Sequence, residues 1–411
     1  MTFTIRIPDP PFRPGDTPDY GTWRIPAAGE ARLPPLDASA EEIVDLAGSL
    51  VRVLDDSGLA VGPWAAFLGE VGDDHNLLAG LRDMLRMRAI DDRLLRAQRQ
   101  GKTSFYLQCS GEEAVGCGFQ RLMKPGDMNF PTYRQQPLLV AAGYPLTKLM
   151  GQIYSNRLDP TAGRQLPIMH SARDYGYFSI SGNLGTQFIQ SVGWAMASAL
   201  SNDDKIAAGW IGEGATATND FHAALLFAAI YQPPVILNIV NNQWAISTNQ
   251  SVAGGGADAS FAKRGTGYQL PSIRVDGNDF LAVLAVSKWA TQRARNNLGP
   301  TLIEWLTYRA AAHSTSDDPS AYRPKDESRA WPLGDPVERL KQHLIRRHAW
   351  SEERHQQALS EIMDEVTAAQ REAEANGTFL APQPLSPADI FQHVYAEMPP
   401  HLRRQRQIMG Y

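Results

Sequence analysis

The sequence predicts an α/β protein with a mostly parallel sheet flanked by helices, an extended N-terminal arm and a helical C-terminal region. From about residue 103 to about residue 310, short apolar runs alternate with amphipathic helices. Strands that are apolar along their whole length and separated by helices are typical of a parallel sheet covered on both faces. The chain is proline-rich before this region and charged after it. We therefore expect three parts, residues 1–75, 76–330 and 331–411.

The first part begins with a segment, residues 1–36, that is proline-rich and shows no periodicity, which predicts an extended arm. A disordered tail is the alternative, but the arm carries more apolar anchors than a solvated tail needs. These anchors are Phe3, Ile5, Ile7, Phe12, Tyr20 and Trp23. We expect the arm to wrap a surface of this chain or of a partner. Next, Ser39 and Glu42 stand at capping-box spacing and predict a helix in SAEEIVDLAGSLVRVL.

The central part is predicted from the periodicity of its apolar residues. A helix in NLLAGLRDMLRMRAIDDRLLRAQRQ, ended by Gly101, leads into it. The predicted strands lie in KIAAGWIG, PVILNIVNN, SIRVDGND and TLIEWLTYR, and the predicted helices in NDFHAALLFAAIYQ and FLAVLAVSKWATQRARNN. Beyond residue 330, SEERHQQALSEIMDEVTAAQREAEANG predicts a long polar helix closed by Gly377. SPADIFQHVYAEM predicts a further helix capped by Ser386.

Composition excludes several classes of protein. The net charge of −5 gives no basic stripe of the kind that binds nucleic acid. No run approaches the roughly 18 apolar residues that a membrane-spanning helix needs. Two cysteines, Cys109 and Cys117, fit a reducing compartment and do not suggest a zinc site. The N-terminus resembles neither a signal peptide nor a transit peptide. We expect a protein of the bacterial cytoplasm, with no nucleic-acid or membrane partner.

One constellation predicts chemistry. Gly212, Glu213 and Gly214 follow one predicted strand, and Asn241 and Asn242 end the next. In a parallel sheet the ligand crevice lies outside the carboxyl ends of the strands, and glycines let a bulky anion approach the main chain there. The helix that follows favours a phosphate at its N-terminus, and a carboxylate beside that anion needs a divalent cation such as Mg²⁺. Taken singly, both the glycine turn and the asparagine pair also fit a purely structural role.

The joint pattern resembles the GDG…NN signature of the thiamine-diphosphate-binding fold, with Glu213 in the place of the usual aspartate, as in one branch of that family. Further motifs specify this branch, namely RQGKTSFYLQCSGEEA, YRQQPLLVAAGYPL, GEGATATNDFHAAL, NNQWAIST, SIRVDGND and TYRAAAHSTSDDPSAYR. Over residues 80–330 the sequence looks like the α subunit of branched-chain 2-oxo acid dehydrogenase. The resemblance implies oxidative decarboxylation of branched-chain 2-oxo acids from valine, leucine and isoleucine, with acyl transfer to the lipoyl group of an acyltransferase partner.

The resemblance also assigns roles to residues. It places Glu213, Asn242 and the main-chain carbonyl of Trp244 on Mg²⁺. The residues that it places at thiamine diphosphate are Tyr133, Arg134, Gly182, Leu184, Gly212, Glu213, Gly214, Asn242, Arg309 and His313. Leu184 would hold the cofactor in its bent conformation. Without the resemblance, Tyr133 and Arg134 fit a surface pair, and Leu184 fits ordinary core.

Further roles follow from the same resemblance. His313 is the expected catalytic residue, acting as an acid or base in acyl transfer because the pKa of histidine lies near working pH. Phe105 is expected to select branched aliphatic substrates. A monovalent cation such as K⁺ is expected at Ser181, Thr186 and Gln187.

Two positions differ in a way that matters. Val240 stands where animal relatives have a diphosphate-binding arginine, so neutralisation of the anion is expected to depend on Arg134, Arg309 and the helix terminus. Ser314 occupies the place of a serine that is phosphorylated in animal relatives, and we do not expect this modification here.

The chain is predicted to be incomplete as an enzyme. Thiamine diphosphate chemistry needs a carboxylate against a ring nitrogen of the pyrimidine, which in this cofactor fold comes from a second domain. Residues 331–411 are helical and too short to supply such a domain. A β subunit is therefore expected to complete the site, most simply in an α₂β₂ heterotetramer.

Two alternatives stay open. The nearer one is the α subunit of a pyruvate or acetoin dehydrogenase, against which Phe105, Glu213 and the HSTSDD stretch argue. The other is a non-catalytic nucleotide-binding or scaffolding α/β subunit. A dinucleotide-binding domain is disfavoured, since no G-x-G-x-x-G follows a predicted strand with an acidic residue about twenty residues further on.

Overall fold

The centre of the molecule is a parallel sheet. The computed structural model describes residues 5, 8–256, 259–382, 386–392 and 394–411. The strands of these residues are β1 (Met128–Phe130), β2 (Ala207–Gly212), β3 (Val235–Asn241), β4 (Trp244–Ala245), β5 (Thr248–Asn249), β6 (Ser272–Asp276) and β7 (Thr301–Leu306). The sheet has the order β1-β2-β3-β7-β6 with every pair parallel, while β4 and β5 form a separate antiparallel hairpin. The predicted parallel sheet is confirmed.

The helices that the sequence predicted beside these strands are also present. In the described residues they are α1 (Gly62–Leu68), α2 (Asp74–Arg99), α3 (Glu113–Phe119), α4 (Gln136–Ala141), α5 (Leu146–Tyr154), α6 (Thr186–Leu200), α7 (Asn219–Tyr231), α8 (Gln250–Gly254), α9 (Lys263–Thr266), α10 (Phe280–Arg295), α11 (Glu327–Ala330), α12 (Pro336–Arg346), α13 (Glu352–Glu374) and α14 (Pro400–Ile408). None of these helices is both long enough and apolar enough to cross a membrane.

Helices cover the sheet on both faces. Successive side chains of a strand point to opposite sides, so each strand contributes to the core on both faces. Ala207 and Ile211 of β2 pack into the core beneath α6 and α7. Ala208 and Trp210 of the same strand pack into the opposite core, to which α2, α3 and α10 contribute. Both faces of β2 are therefore apolar, which explains why this strand reads as a continuous hydrophobic run.

Strand register brings the predicted site together. Gly212 of β2 is paired with Val240 of β3, and Asn241 of β3 is paired with Leu306 of β7. The three strands therefore end at one edge of the sheet. Past the ends of β3 and β7, the Arg309 amide still donates to the Asn242 carbonyl at 3.1 Å. The residues that follow each strand consequently face the same crevice.

Both flanks pack onto the central part. Helices α12 and α13 contact α2, and α13 also contacts α5. Ile362 and Val366 of α13 share one hydrophobic core with Leu81 of α2 and Trp305 of β7. The expected helical C-terminal region is confirmed, whereas the boundaries at residues 75/76 and 330/331 stay a prediction.

The N-terminal arm packs on its own chain. The rings of Tyr20 and Trp23 meet Trp331 edge to face, with centroids 5.7 and 5.3 Å away, and Phe12 packs edge-on against Tyr20. Ile5 is exposed, and the predicted anchors Phe3 and Ile7 lie outside the described residues. The described part of the arm thus wraps a surface of this chain.

The helix predicted for residues 39–54 is wrong. The capping-box hydrogen bonds between Ser39 and Glu42 form, but only a short 3₁₀ turn follows, at Val44–Ala47. Val51 instead pairs with Val275 of β6, and the amides of Val53 and Leu54 donate to the buried carboxylate of Asp279. Tertiary hydrogen bonds therefore take the main-chain donors that a helix would use.

The helix predicted for residues 386–398 is also wrong in its described part. Ser386 caps a 3₁₀ turn that ends at Phe391, Pro387–Phe391. His393 lies outside the described residues. The carbonyls of Asp389 and Gln392 accept hydrogen bonds from Arg164. An arginine from elsewhere in the chain thus takes up acceptors that a continued helix would use.

Candidate active site

A cavity of about 420 Å³ opens at the edge of the sheet where β2 and β3 end. Hairpin β4–β5, the segment 132–135 and the segment 184–185 complete its wall. The predicted residues that line the cavity are Tyr133, Arg134, Leu184, Gly212, Glu213, Gly214, Asn242, Trp244 and His313. The structure therefore brings most of the residues predicted for the cofactor and the metal to one cavity from segments far apart in the chain, and their roles stay predictions.

Three of the residues predicted at the thiamine diphosphate or the substrate are not part of the cavity wall. Gly182 is exposed, two residues before Leu184. Phe105 is half-buried against the main core, next to Tyr106, whose amide bonds to the Thr315 hydroxyl. Arg309 is completely buried behind the wall. The roles expected of these residues stay predictions.

Glu213 is a buried carboxylate with an unused oxygen. It follows β2, begins a 3₁₀ turn, Glu213–Ala217, and is 2% exposed. Its Oε1 receives no hydrogen bond from the described residues. Burial raises the pKa of Glu213 to about 7, and the negative charge of Glu112 adds to the rise. An orphaned carboxylate oxygen on a cavity wall fits a bound cation, which would supply the missing partner and hold the group ionised.

Asn242 stands opposite with its amide held on one side. The Nδ2 group donates to Glu112 Oε1 at 2.8 Å, and the Oδ1 atom accepts from the Trp244 amide at 3.3 Å. An amide oxygen has two lone pairs, so Oδ1 keeps one for a cation. Together with Glu213 it offers the oxygen donors that Mg²⁺ prefers. The described residues contain no group of three or more His, Cys, Asp or Glu side chains that could hold a metal ion, so this site depends on one carboxylate with amide and main-chain oxygens.

The main-chain carbonyl of Trp244, the third predicted metal ligand, is hydrogen-bonded to an arginine. The Trp244 carbonyl accepts from Arg309 Nη1 at 2.9 Å, while Arg309 Nη2 donates to the Ile246 carbonyl and the Tyr322 hydroxyl. The carbonyl retains a second lone pair for a cation. Arg309 thus fixes the main chain of the β4–β5 hairpin, and in this structure its guanidinium points at protein acceptors.

His313 lies between two arginines. Its Nδ1 is 3.3 Å from Arg134 Nη2 and 3.3 Å from Arg309 Nη1. Guanidinium groups only donate, so Nδ1 must be the acceptor and Nε2 must carry the proton. Burial, together with the positive charges of Arg134 and Arg309, lowers the pKa of His313 to about 3. Burial and the two guanidiniums beside the ring, which the sequence did not show, thus move this pKa below the usual range of histidine, and the acid or base role of His313 stays a prediction.

Arg134 connects several parts of the wall. It is 4% exposed and donates to the carbonyls of Gln108 and His313, and its Nε lies 3.5 Å from Glu112 Oε1. The guanidinium borders the cavity, where its planar fork suits the oxygens of a phosphate. Tyr133 also borders the cavity, with its ring edge-on to that of His313.

Glu112 is the main residue that sequence reasoning missed. It is 4% exposed, lines the cavity, and bonds to Asn242 while lying beside Arg134. Burial raises the pKa of Glu112 to about 7, against the lowering effect of Arg134. The signal that could have identified Glu112 was its position directly before α3, a helix in which every residue is buried. A carboxylate entering such surroundings needs specific partners.

The residues expected at a monovalent cation lie near the cavity. Gln187 donates to the Ser181 carbonyl at 3.0 Å, and Thr186 begins α6. The Oε1 atom of Gln187 is buried and accepts no hydrogen bond from the described residues. An oxygen donor is thus free at this position.

Comparison with known proteins identifies the family to which the chain belongs. The chain belongs to the dehydrogenase E1 component family, whose model matches residues 81–381 and which depends on thiamine diphosphate. Residues 2–41 match a second model, described as 2-oxoisovalerate dehydrogenase E1 alpha subunit N terminal. The family expected from the motifs is confirmed.

Individual relatives share most of the chain. A Pseudomonas aeruginosa protein named 2-oxoisovalerate dehydrogenase subunit alpha is 56% identical over 406 residues, covering 99% of this chain and 98% of the relative. The mouse mitochondrial 2-oxoisovalerate dehydrogenase subunit alpha is 37% identical over 372 residues, covering 88% and 79%. An Arabidopsis thaliana mitochondrial protein, subunit alpha 1, is 34% identical over 355 residues, covering 86% and 73%.

Proposed function

We propose that this chain is the α subunit of a thiamine-diphosphate-dependent dehydrogenase that decarboxylates branched-chain 2-oxo acids and passes the acyl group to a lipoyl-bearing acyltransferase. The observation that carries the proposal is the unpartnered Oε1 atom of the Glu213 carboxylate beside the Asn242 amide, at the joint ends of β2 and β3. The branched-chain substrate is supported by the 56% identity to the Pseudomonas aeruginosa relative along almost the whole chain.

The proposed cation is Mg²⁺, held by Glu213, Asn242 and the Trp244 carbonyl. The charges around the cavity support it. Two carboxylates, Glu112 and Glu213, lie near the guanidiniums of Arg134 and Arg309, so once ionised they offset the positive charge that would otherwise hold an anion. Val240, on the same wall, adds no charge. A diphosphate therefore needs a cation of its own in the site.

Bound thiamine diphosphate would supply the electron sink for decarboxylation, and the protein's own residues would bind, orient and exclude water. Arg134 would place its positive charge beside the diphosphate at the cavity wall. Leu184 is 50% exposed at the cavity wall, so its side chain would lose water against the cofactor. Because Nδ1 of His313 faces two guanidinium donors, this residue would present its Nε2 proton to a bound molecule.

Partners and the second cation complete the proposal. A β subunit, most simply in an α₂β₂ assembly, is supported by four large apolar side chains of α7 that are exposed here, namely Leu226, Phe227, Ile230 and Tyr231. A monovalent cation such as K⁺ is proposed at Ser181, Thr186 and Gln187, where Gln187 Oε1 has no other partner in the described residues. The proposed location is the bacterial cytoplasm.

The test is substrate preference in the assembled enzyme. The chain is co-expressed with a β subunit of the same type, and decarboxylation is followed with Mg²⁺, thiamine diphosphate and an artificial electron acceptor. We expect kcat/KM for 3-methyl-2-oxobutanoate to exceed that for pyruvate by about tenfold or more, as one or two buried methyl groups allow. We expect no activity from the purified chain alone. A preference for pyruvate, or activity without the partner, would contradict the proposal.

A further inference from the structure

Glu112 touches two functional groups of the cavity at once. Its Oε1 accepts from Asn242 Nδ2 at 2.8 Å and lies 3.5 Å from Arg134 Nε. The side chain is 4% exposed and lines the cavity, but it lies beside the proposed ligands of the cation. It is thus placed to act on the cation through Asn242.

The bond to Glu112 holds one end of the Asn242 amide. Glu112 Oε1 accepts from the NH₂ group, so that end of the amide is turned toward the carboxylate. The Oδ1 end is then directed away from Glu112, where it meets the Trp244 amide at 3.3 Å. A cation can be bound by the oxygen of an amide and not by its NH₂ group. With the amide reversed, Asn242 would present hydrogens to Mg²⁺.

We propose that Glu112 is a positioning residue whose carboxylate holds the Asn242 side chain with its oxygen turned toward the cation. This inference rests on the proposed function, because it assumes that Mg²⁺ is bound at Glu213 and Asn242. It assigns to Glu112 a role that neither the motif pattern nor the cavity shape requires. Outer partners of metal ligands commonly set metal affinity by a factor of about 10–100.

The neighbouring carboxylate provides a contrast within the same chain. Glu113 is fully buried like Glu112, but it bonds to Arg88 at 2.7 Å and to the Gly111 amide. It is not part of the cavity wall. Two adjacent buried carboxylates therefore face different partners, and Glu113 serves as a matched control for the loss of one buried charge.

The experiment compares four forms of the enzyme assembled with its β subunit: wild type, Glu112→Met, Glu112→Gln and Glu113→Gln. Methionine matches the length of glutamate but offers no comparable acceptor, whereas glutamine keeps an acceptor oxygen. Calorimetry measures the Kd for Mg²⁺ at saturating thiamine diphosphate, and activity is measured separately at low and at saturating Mg²⁺. Glu112→Ala replaces the methionine variant if that variant does not assemble.

For Glu112→Met we expect the Kd for Mg²⁺ to rise about tenfold or more, with the loss of activity greatest at low Mg²⁺ and partly recovered at saturating Mg²⁺. Glu112→Gln should recover most of that affinity, and Glu113→Gln should lower the unfolding temperature while leaving the Kd within about twofold. The inference is overturned if Glu112→Met binds Mg²⁺ like wild type, or if glutamine is as damaging as methionine. Failure of wild type itself to bind Mg²⁺ would instead refute the proposed function.

Discussion

The guanidinium of Arg309 donates a hydrogen bond to the main-chain carbonyl of Trp244 across 2.9 Å. It also donates to the Ile246 carbonyl and the Tyr322 hydroxyl, and the residue is fully buried. Since Trp244 lines the cavity and Arg309 does not, the arginine supports one wall of the site from behind. A residue expected at the diphosphate thus acts in this structure on the chain's own main chain.

Replacing Arg309 with lysine tests its support of the main chain separately from its expected role at the diphosphate. Lysine keeps the positive charge but cannot reproduce the fork of donors, so at least two of the three acceptors lose their partner, and the hydrogen bond to the Trp244 carbonyl is the buried one. Each unpaired buried acceptor costs about 1–3 kcal/mol, and we expect the free energy of unfolding to fall by about 2 kcal/mol or more. Urea denaturation measures this change, with Arg173→Lys as the exposed control. An unchanged stability would show that the fork is not needed.

The pH dependence of stability tests the burial of Glu213. Its pKa is about 7 in the folded protein and 4.5 as an ordinary glutamate, so the folded state binds more protons between these values. The stability that this carboxyl contributes is present below pH 4.5 and is lost as the pH rises through 7. Without metal, the stability of Glu213→Gln relative to wild type should therefore increase by about 3 kcal/mol as the pH rises from 4.5 to 7. Above pH 7 the difference should stay constant.

Denaturation of metal-free wild type and Glu213→Gln across this pH range gives the measurement. Saturating Mg²⁺ and thiamine diphosphate should reverse the order above pH 7, because a cation stabilises the ionised carboxylate. A stability difference that does not change with pH would mean that Glu213 is hydrated and ionises normally.

The N-terminal arm reaches the back of the site through one hydrogen bond. The Tyr20 hydroxyl donates to Glu327 Oε1 at 3.1 Å, and the same carboxylate oxygen lies 3.4 Å from the Trp244 indole nitrogen. Tyr20→Phe removes a partner of a buried carboxylate and should lower the free energy of unfolding by about 1–2 kcal/mol. Urea denaturation measures it, and Tyr395→Phe, at an exposed tyrosine, should change nothing. Equal effects of the two substitutions would show that the bond contributes no stability.

The part of the site that the sequence could predict depends on strand topology. The apolar runs of β2, β3 and β7 indicated parallel strands, and parallel strands end at a common edge. Glu213 and Asn242 had to meet there once both strands were placed in one sheet. The helix at residues 39–54 failed because the carboxylate of Asp279, more than 220 residues away, takes its amides. The periodicity of neighbouring residues does not indicate a hydrogen-bond acceptor so far away in the chain.

The charges of the site were not predictable in the same way. Arg134 lies 179 residues from His313 in the chain, and Glu112 lies 130 residues from Asn242. Their contacts depend on how loops and side chains pack, which no motif spacing encodes. The low pKa of His313 and the orientation of the Asn242 amide therefore became visible only in the folded chain.

The most direct test of the account is Mg²⁺-dependent binding of thiamine diphosphate to the assembled enzyme, with wild type and Glu213→Ala compared by calorimetry. We expect wild type to bind the cofactor only when Mg²⁺ is present. The Glu213→Ala variant should assemble normally, lose cofactor affinity by at least about 100-fold and lose activity with it. A Glu213→Ala enzyme that binds thiamine diphosphate and decarboxylates like wild type would contradict the account and favour a scaffolding subunit.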